Sequence, residues 1–185
     1  IAVTRVNGVT SALSIPRGIG ITGTSALIHL DGWTWEDMTV RSPVGLHVTW
    51  PNLTPVRACF ELRSDEEQKK ARDEAVASIR KAFDDARAYE KALSAEGQAG
   101  IPRHDRDVKW DAMRRAVRGE LPVFFHASAL NQIRAVLDFV DQQQLKHVVL
   151  VGGYDAGKVA DELKSRDIAV ICEPTLSMPR RRWDA

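Results

Sequence analysis

Cysteine is scarce in this sequence, and neither sign of charge is in excess. Cys59 and Cys172 lie far apart and match no metal-binding or redox spacing, so we expect both to be buried free thiols. The 26 Lys and Arg residues are balanced by 25 Asp and Glu residues, for a formal net charge of +1. The longest basic run is Arg180-Arg181-Arg182. This balance argues against nucleic acid as the main partner.

Long apolar runs are also missing. No stretch approaches the length that spans a bilayer. The first residues also lack the charged stretch followed by an apolar stretch that is typical of a signal peptide, so we expect no membrane partner. The chain begins at Ile1 and not at methionine, which leaves the compartment and an upstream signal peptide open. With 185 residues, 44% of them hydrophobic, the chain is long and apolar enough to bury the core of one soluble globular domain.

The stretch from Glu120 to Ser128 is the most informative part of the sequence. A short apolar run after Pro122 ends at His126 and predicts a buried strand, and the apolar spacing then becomes helical over residues 130–144. The carboxyl ends of parallel strands are where such folds collect ligands and metals. His126 is therefore a candidate metal ligand or proton carrier. A histidine that hydrogen-bonds a backbone carbonyl is an equally good interpretation.

Strand and helix patterns alternate along the rest of the chain. Strand patterns cover residues 10–16, 43–51, 146–151 and 168–172, and helical patterns cover residues 64–97, 107–117 and 155–166. Ser64 and Glu67 predict a capping box for the longest helix, and Asp107 and Asp155 are the expected caps of two others. Strands that alternate with helices predict βαβ units, and hence an α/β fold with a parallel sheet.

The segment that follows the first predicted strand is rich in glycine and tryptophan. Gly18, Gly20 and Gly23 have dinucleotide-binding spacing, but β-like residues follow where that motif needs a helix. We therefore expect a glycine-rich loop that leads into a hairpin. Trp33 and Trp35 then share one side of an expected extended segment, where they form a wall of a substrate pocket or cover the apolar side of the hairpin.

A second motif resembles a phosphate-binding loop. Residues 152–159, Gly-Gly-Tyr-Asp-Ala-Gly-Lys-Val, follow a predicted strand and open a predicted helix. Val159 lacks the hydroxyl that binds magnesium, and Asp155 brings a carboxylate to a loop meant for phosphates. A tight strand-to-helix turn explains these glycines more simply, so a phosphate-loop nucleotide-binding enzyme is a minor alternative.

Four runs of the sequence resemble bacterial members of the amidohydrolase superfamily, close to imidazolonepropionase-like proteins. They cover residues 7–11, 16–27, 30–38 and 121–127, and the most specific are Asp-Gly-Trp-Thr-Trp-Glu-Asp-Met and Leu-Pro-Val-Phe-Phe-His-Ala. The resemblance implies a TIM-type (β/α)8 barrel that hydrolyses carbon-nitrogen bonds of amides or cyclic amides. It also implies one or two divalent metals, usually zinc, that activate a water and polarise the carbonyl.

The metal ligands of the family carry over only in part. Family members hold the metal with a His-x-His pair on the first strand, a carboxylate on a middle strand, histidines on the fifth and sixth strands and an aspartate on the eighth. His126 matches the fifth-strand histidine. The sequence contains no His-x-His pair, and the sixth-strand position falls at Gly152 or Gly153. Thr49 stands where related deacetylases carry a glutamate ligand.

We therefore interpret residues 1–185 as the central part of an amidohydrolase-like barrel, a partial barrel with a hairpin insertion that lacks the first and last strands. A closed barrel of this type needs about 250 residues. We expect a divalent metal such as zinc in the intact protein, and an incomplete, inactive metal site in this chain alone. The open edges of a cut barrel predict that the chain associates with itself.

Three functions remain open from the sequence. They are a metal-dependent hydrolase of carbon-nitrogen bonds, a non-catalytic amidohydrolase-like domain kept for binding or assembly, and the phosphate-loop enzyme. The first implies a small-molecule substrate, and the candidate residues that contact it are Trp33, Trp35, Trp50 and Arg17. Packing and solvation are equally good roles for these four side chains.

Overall fold

The computed structural model describes residues 2–56, 61–96 and 105–172. The strands within these ranges are β1 (Ser11–Ser14), β2 (Gly20–Thr24), β3 (Ala26–His29), β4 (Thr39–Arg41), β5 (Leu46–Thr49), β6 (Val123–Ala127), β7 (Val148–Gly152) and β8 (Ala169–Cys172). The helices are α1 (Ala2–Val6), α2 (Trp35–Met38), α3 (Asp65–Ser94), α4 (Val108–Val117), α5 (Leu130–Gln143) and α6 (Ala160–Ser165), with a 3-10 helix over Ala156–Val159.

The strands form two sheets. The larger sheet has the order β2-β5-β6-β7-β8, in which β5 to β8 are parallel and β2 runs antiparallel to β5. The smaller sheet, β1-β3-β4, is antiparallel throughout. The predicted α/β fold with parallel strands is confirmed. Among the described strands, the larger sheet is open and no barrel closure is shown.

Alternation along the strands sorts the side chains of the larger sheet onto two faces. On one face, Val48 and Phe125 pack in the core with Phe83 of α3 and Phe139 of α5. The Phe125 and Phe139 rings meet edge to face with centroids 5.9 Å apart. The other core residues on this face of β5 to β7 are Leu46, Val123, Ala127, Val148 and Leu150. The opposite face carries the residues between them, among which is His126.

The long helix α3 begins as its sequence predicts. The Ser64 side chain accepts a hydrogen bond from the Glu67 backbone N–H, and the Glu67 carboxylate accepts one from the Ser64 backbone N–H, so the capping box is confirmed. The Asp107 cap of α4 is confirmed as well, since its side chain accepts from the Lys109 N–H. None of the described helices combines the length and apolar character needed to cross a membrane.

The glycine-rich segment differs from its prediction. It forms strand β2 at the edge of the larger sheet instead of a loop, and Ile21 pairs with Val48 of β5. Gly20 and Gly23 take positive φ angles of 71° and 128°, and the pairing shifts register between Ile21 and Gly23. Glycines at positive φ predict turns, but here they allow an irregular strand whose pairing with β5 supplies the hydrogen bonds.

The tryptophan segment also differs. Residues 35–38 form the short helix α2 instead of an extended strand, because Thr34 and Asp37 make a capping box. The predicted hairpin is present as the antiparallel pair of β3 and β4, with α2 in the connection between them.

The expectation of two buried thiols is wrong for Cys172. Cys172 is a free thiol but is exposed at the end of β8. Of the described strands, only β7 lies beside β8 at this end. Cys59 lies outside the described residues.

Helices α3 and α4 are joined by a charged cluster around Glu90. The Glu90 carboxylate accepts hydrogen bonds from Arg114 Nε at 2.5 Å, Arg118 Nε at 2.7 Å and Ser94 Oγ at 3.0 Å. Burial alone would raise the pKa of Glu90, but these hydrogen bonds hold the pKa below its ordinary value. The Glu90 side chain is 13% exposed, so the cluster is shielded enough from water to matter for stability.

We predict that Glu90→Gln lowers the free energy of unfolding by about 1–3 kcal/mol, because two guanidinium groups lose a charged acceptor. Urea denaturation at neutral pH measures the change. The control is Glu74→Gln, which removes an exposed pair with Lys70 at 4.0 Å and is expected to change stability by less than about 0.5 kcal/mol. Equal losses in the two variants would contradict the prediction.

Candidate functional site

A cavity of about 350 Å³ lies at the carboxyl ends of the parallel strands. Four consecutive strands contribute to its lining, together with the first turn of α5. The lining residues are Thr49, Trp50, His126, Ala127, Ser128, Gln132, Val151, Gly152, Ile171 and Cys172. A larger cavity of about 440 Å³ lies between β2 and helices α3 and α4, but its lining contains no carboxylate, imidazole or thiol. The cavity of about 350 Å³ is the candidate site, because it lies at the carboxyl ends of the parallel strands and is lined by His126.

Among the described residues, His126 is the only imidazole that lines this cavity, and it is hydrogen-bonded to a second histidine. Nδ1 of His47 lies 2.8 Å from Nε2 of His126, a hydrogen-bond distance. The pairing of β5 with β6 explains the contact. Thr49 lies beside His126 and His47 lies beside Phe124, so His47 and His126 are diagonal neighbours on the same face of the sheet.

The ring of His47 is fixed by stacking as well. It lies parallel to the Phe124 ring, with centroids 4.7 Å apart and an interplanar angle of 7°. Gly45 makes this arrangement possible, since a Cβ atom there would lie 2.1 Å from the Phe124 ring. His47 is only 1% exposed, and its Nε2 is fully buried without a hydrogen-bond partner among the described residues.

Burial keeps both imidazoles neutral near pH 7. Burial, and to a lesser extent the neighbouring His126, lowers the pKa of His47 from 6.5 to about 4. Burial also lowers the pKa of His126. A neutral imidazole has one nitrogen that donates and one that accepts, so each ring of the pair has a defined role for each nitrogen.

The rim of the cavity is held by Gln132 of α5. Its side-chain oxygen accepts from the backbone N–H groups of Ser128 and Ala129, at 3.3 and 3.1 Å. Its Nε2 donates to the backbone carbonyls of Trp50 and Pro51, at 3.3 and 3.1 Å. One side chain thus joins the loops that follow β5 and β6. No sequence motif singles out Gln132, but its place at the third position of a helix, where a side chain reaches back to the cap, is a signal that could have found it.

Asp155 has a different role from the one predicted. It makes no cap hydrogen bond to its own 3-10 helix, but its Oδ2 accepts from the Leu130 backbone N–H at the start of α5, at 3.0 Å. Its Oδ1 lies 2.9 Å from Lys158 Nζ, and the Asp155 side chain is 4% exposed. A bound phosphate would meet this buried carboxylate, and Lys158 is already paired with it. The arrangement disfavours the phosphate-loop alternative.

The structure brings together only two of the predicted site residues. His126 and Trp50 both line the cavity, but the Trp50 ring packs in the core, 5.3 Å from the Phe139 ring, and Trp50 is 3% exposed. Trp33 and Trp35 are 96% and 74% exposed beside the smaller sheet, and exposed Arg17 lies between β1 and β2. None of these three lines the cavity. Substrate binding by the four residues stays a prediction.

The described residues do not by themselves fit a metal. Nowhere in residues 2–56, 61–96 and 105–172 are three or more His, Cys, Asp or Glu side chains grouped to hold one. Nε2 of His126 is taken by His47, and Thr49 and Gly152 offer no imidazole or carboxylate. A catalytic zinc site needs about three protein ligands, so any such site would need ligands other than these. Metal binding by His126 stays a prediction.

The fold is similar to that of a solved protein. The structure of an amidohydrolase from Thermotoga maritima MSB8 matches with a TM-score of 0.77 and 19% sequence identity, over 95% of this chain and 45% of that one. No family model and no curated protein matches the sequence. At this identity the match shows an amidohydrolase-like fold, and the chain spans less than half of the length of that protein.

The buried His47 makes stability depend on pH. An unfolded histidine takes up a proton near pH 6.5, whereas folded His47 does so only near pH 4, so the free energy of unfolding falls as the pH drops through this window. The loss from this group is on the order of 3 kcal/mol at pH 4 and absent above pH 7. Urea titrations between pH 4 and 8 measure it.

The variant His47→Asn is expected to flatten this part of the pH dependence, because the titrating ring is gone. Exposed His29 provides the matched control, and His29→Asn should keep the slope of the parent protein. If the free energy of unfolding falls with pH as steeply in His47→Asn as in the parent protein, the assignment of this pH dependence to His47 is contradicted.

Proposed function

We propose that the intact protein hydrolyses carbon-nitrogen bonds of amides or cyclic amides, with the His126 cavity as the part of the active site that this chain contributes. One observation carries the proposal: an imidazole stands beside a cavity of about 350 Å³ at the carboxyl ends of parallel strands, in an amidohydrolase-like fold. Ligand sites of parallel α/β folds lie at this edge of the sheet. The volume suits a small-molecule substrate.

A divalent metal, zinc by analogy with the family, is part of this proposal for the intact protein. The described residues alone do not supply its full ligand set, since nowhere among them are three or more His, Cys, Asp or Glu side chains grouped to hold a metal. The chain alone is accordingly proposed to be inactive, because a catalytic metal site needs its full ligand set.

We predict that the full-length protein hydrolyses members of a panel of linear and cyclic amides, and that a chelator abolishes the reaction and added zinc restores it. His126→Ala is expected to lower kcat/KM by about 100-fold or more, the scale for losing one group at the reacting atoms. His29→Ala, which removes an exposed histidine away from the cavity, is the control. Failure of the panel, together with the absence of bound metal, would contradict the proposal.

A non-catalytic binding or assembly domain is the second candidate. The observation that favours it is the cavity itself, in which Thr49 and Gly152 stand at positions where the family carries ligands. The same assay separates the two candidates, because a binding domain would bind an amide without hydrolysing it.

We further propose that the chain associates with itself through the open edge of β8. Ile171 on this strand is 48% exposed, and among the described strands β8 pairs only with β7. Unpaired strand edges with exposed apolar side chains invite pairing with another strand.

Sedimentation across a broad concentration range is expected to show dimers or larger species of the chain. Ile171→Lys should shift the distribution towards monomer, because a charge on an edge strand opposes pairing. Val6→Lys, at an exposed valine of α1, should not. A parent protein that is monomeric at every concentration would refute this association.

A further inference from the structure

The unpaired nitrogen of His47 determines where the protons of the histidine pair lie. His47 is held by the Phe124 ring on its face and by His126 at Nδ1, and its buried Nε2 has no partner among the described residues. The 2.8 Å hydrogen bond between the two rings contains one proton, so it can be donated by either ring. The two choices leave different atoms unpaired.

If His126 donated this proton, neutral His47 would carry its own proton on Nε2, and that N–H would be buried without an acceptor. If His47 donates it through Nδ1, the unpaired atom is a bare nitrogen. Buried N–H groups without an acceptor are rarer in proteins than buried acceptors without a donor. The burial of His47 therefore favours the second choice, in which His126 accepts at Nε2 and carries its own proton on Nδ1.

The remaining polar group of the His126 ring is then an N–H donor at a residue that lines the cavity. Nδ1 of His126 has no hydrogen-bond partner in the described part of the chain and is not among the buried unpaired atoms there. Water or a ligand in the cavity can supply the acceptor for this N–H.

We propose that His47 is a positioning residue that fixes His126 as the Nδ1–H tautomer, so that His126 donates a hydrogen bond to a carbonyl oxygen of the ligand. The choice of a carbonyl ligand rests on the proposed function, because amides present such an oxygen. The tautomer rests on the geometry of the histidine pair alone.

This role differs from that of a metal ligand. A histidine that binds a metal uses the lone pair of one nitrogen and donates from the other, whereas His126 accepts at the nitrogen facing His47 and holds a proton on the other. The role also fits amide chemistry. The carbonyl oxygen of an amide gains negative charge when the carbon is attacked, and a fixed N–H donor stabilises that charge.

The first test is the tautomer of His126, measured at pH 8 by long-range proton-nitrogen NMR on the 15N-labelled chain. The His126 signals are assigned by their loss in His126→Gln. The expected result is a protonated Nδ1 and a bare Nε2 in the parent protein, which requires no substitution that endangers folding. A proton on Nε2 of His126 would overturn the proposal.

Two variants of His47 test its role in positioning. His47→Asn keeps a side-chain N–H at the place of Nδ1 and should preserve the His126 tautomer. His47→Leu removes the donor and should give the mixture of tautomers of a free imidazole. A spectrum of folded His47→Leu that matches the parent would show that His47 does not set the tautomer.

The third test uses 2-pyrrolidinone, a cyclic amide, as the probe ligand. We expect it to shift the His126 Nδ1 signal in the parent and in His47→Asn, with about tenfold weaker affinity in His47→Leu, the scale of one oriented hydrogen bond. A response to zinc chloride but not to the amide would make His126 a metal ligand and overturn the proposal. The tautomer of His126 and the shift of its signal by a ligand are both measured without turnover. The proposed hydrolase activity can therefore fail while the tautomer assignment stands.

Discussion

The strict alternation of side chains along β5 and β6 is the constraint on which the rest of the site depends. One set of alternating residues, which includes Val48 and Phe125, is buried against α3 and α5 and fixes how the two strands lie against the helices. Because these residues cannot turn away from the core, His47 and His126 must lie together on the opposite face. These two histidines are 79 positions apart in the chain, and the hydrogen bond between them is therefore a consequence of core packing.

The face of the sheet that carries His47 and His126 brings buried polar side chains together at one place. His47 is almost fully buried, with the Phe124 ring stacked on its face and His126 hydrogen-bonded at Nδ1. Gly45 leaves room for the Phe124 ring, and Gln132 holds the loops beyond the two strands. The hydrogen bond from His47, which is itself held by stacking on Phe124, fixes the nitrogen of His126 that faces away from the cavity-side N–H.

Local signals in the sequence predicted the local structure well. The capping box of Ser64 and Glu67 and the cap at Asp107 depend on residues three or fewer positions apart, and both are present in the structure. The buried strand predicted to end at His126 is present as β6, which ends one residue later at Ala127. Contacts between segments that are distant in the chain were not predicted. Asp155 caps α5 and not the helix that follows it, because the loop after β7 lies beside the loop after β6.

The errors have similar physical causes. The glycines of β2 were interpreted as a loop leading into a hairpin because β-like residues follow their motif, but pairing with β5 holds the segment extended. The capping box of Thr34 and Asp37 starts a short helix where we expected an extended segment with two tryptophans on one side. His47 stood within a predicted strand, and only the register of β5 against β6 shows that it meets His126. A sequence cannot give that register without the tertiary packing that sets it.

The most direct test of this account is a crystal structure of the full-length protein with a cyclic amide bound. The account predicts the amide in the cavity at the carboxyl ends of β5 to β8, with its carbonyl oxygen about 2.7–3.1 Å from Nδ1 of His126. It also predicts that the hydrogen bond between His47 and His126 persists. A metal ion on His126 Nδ1, or an amide bound away from this cavity, would contradict it.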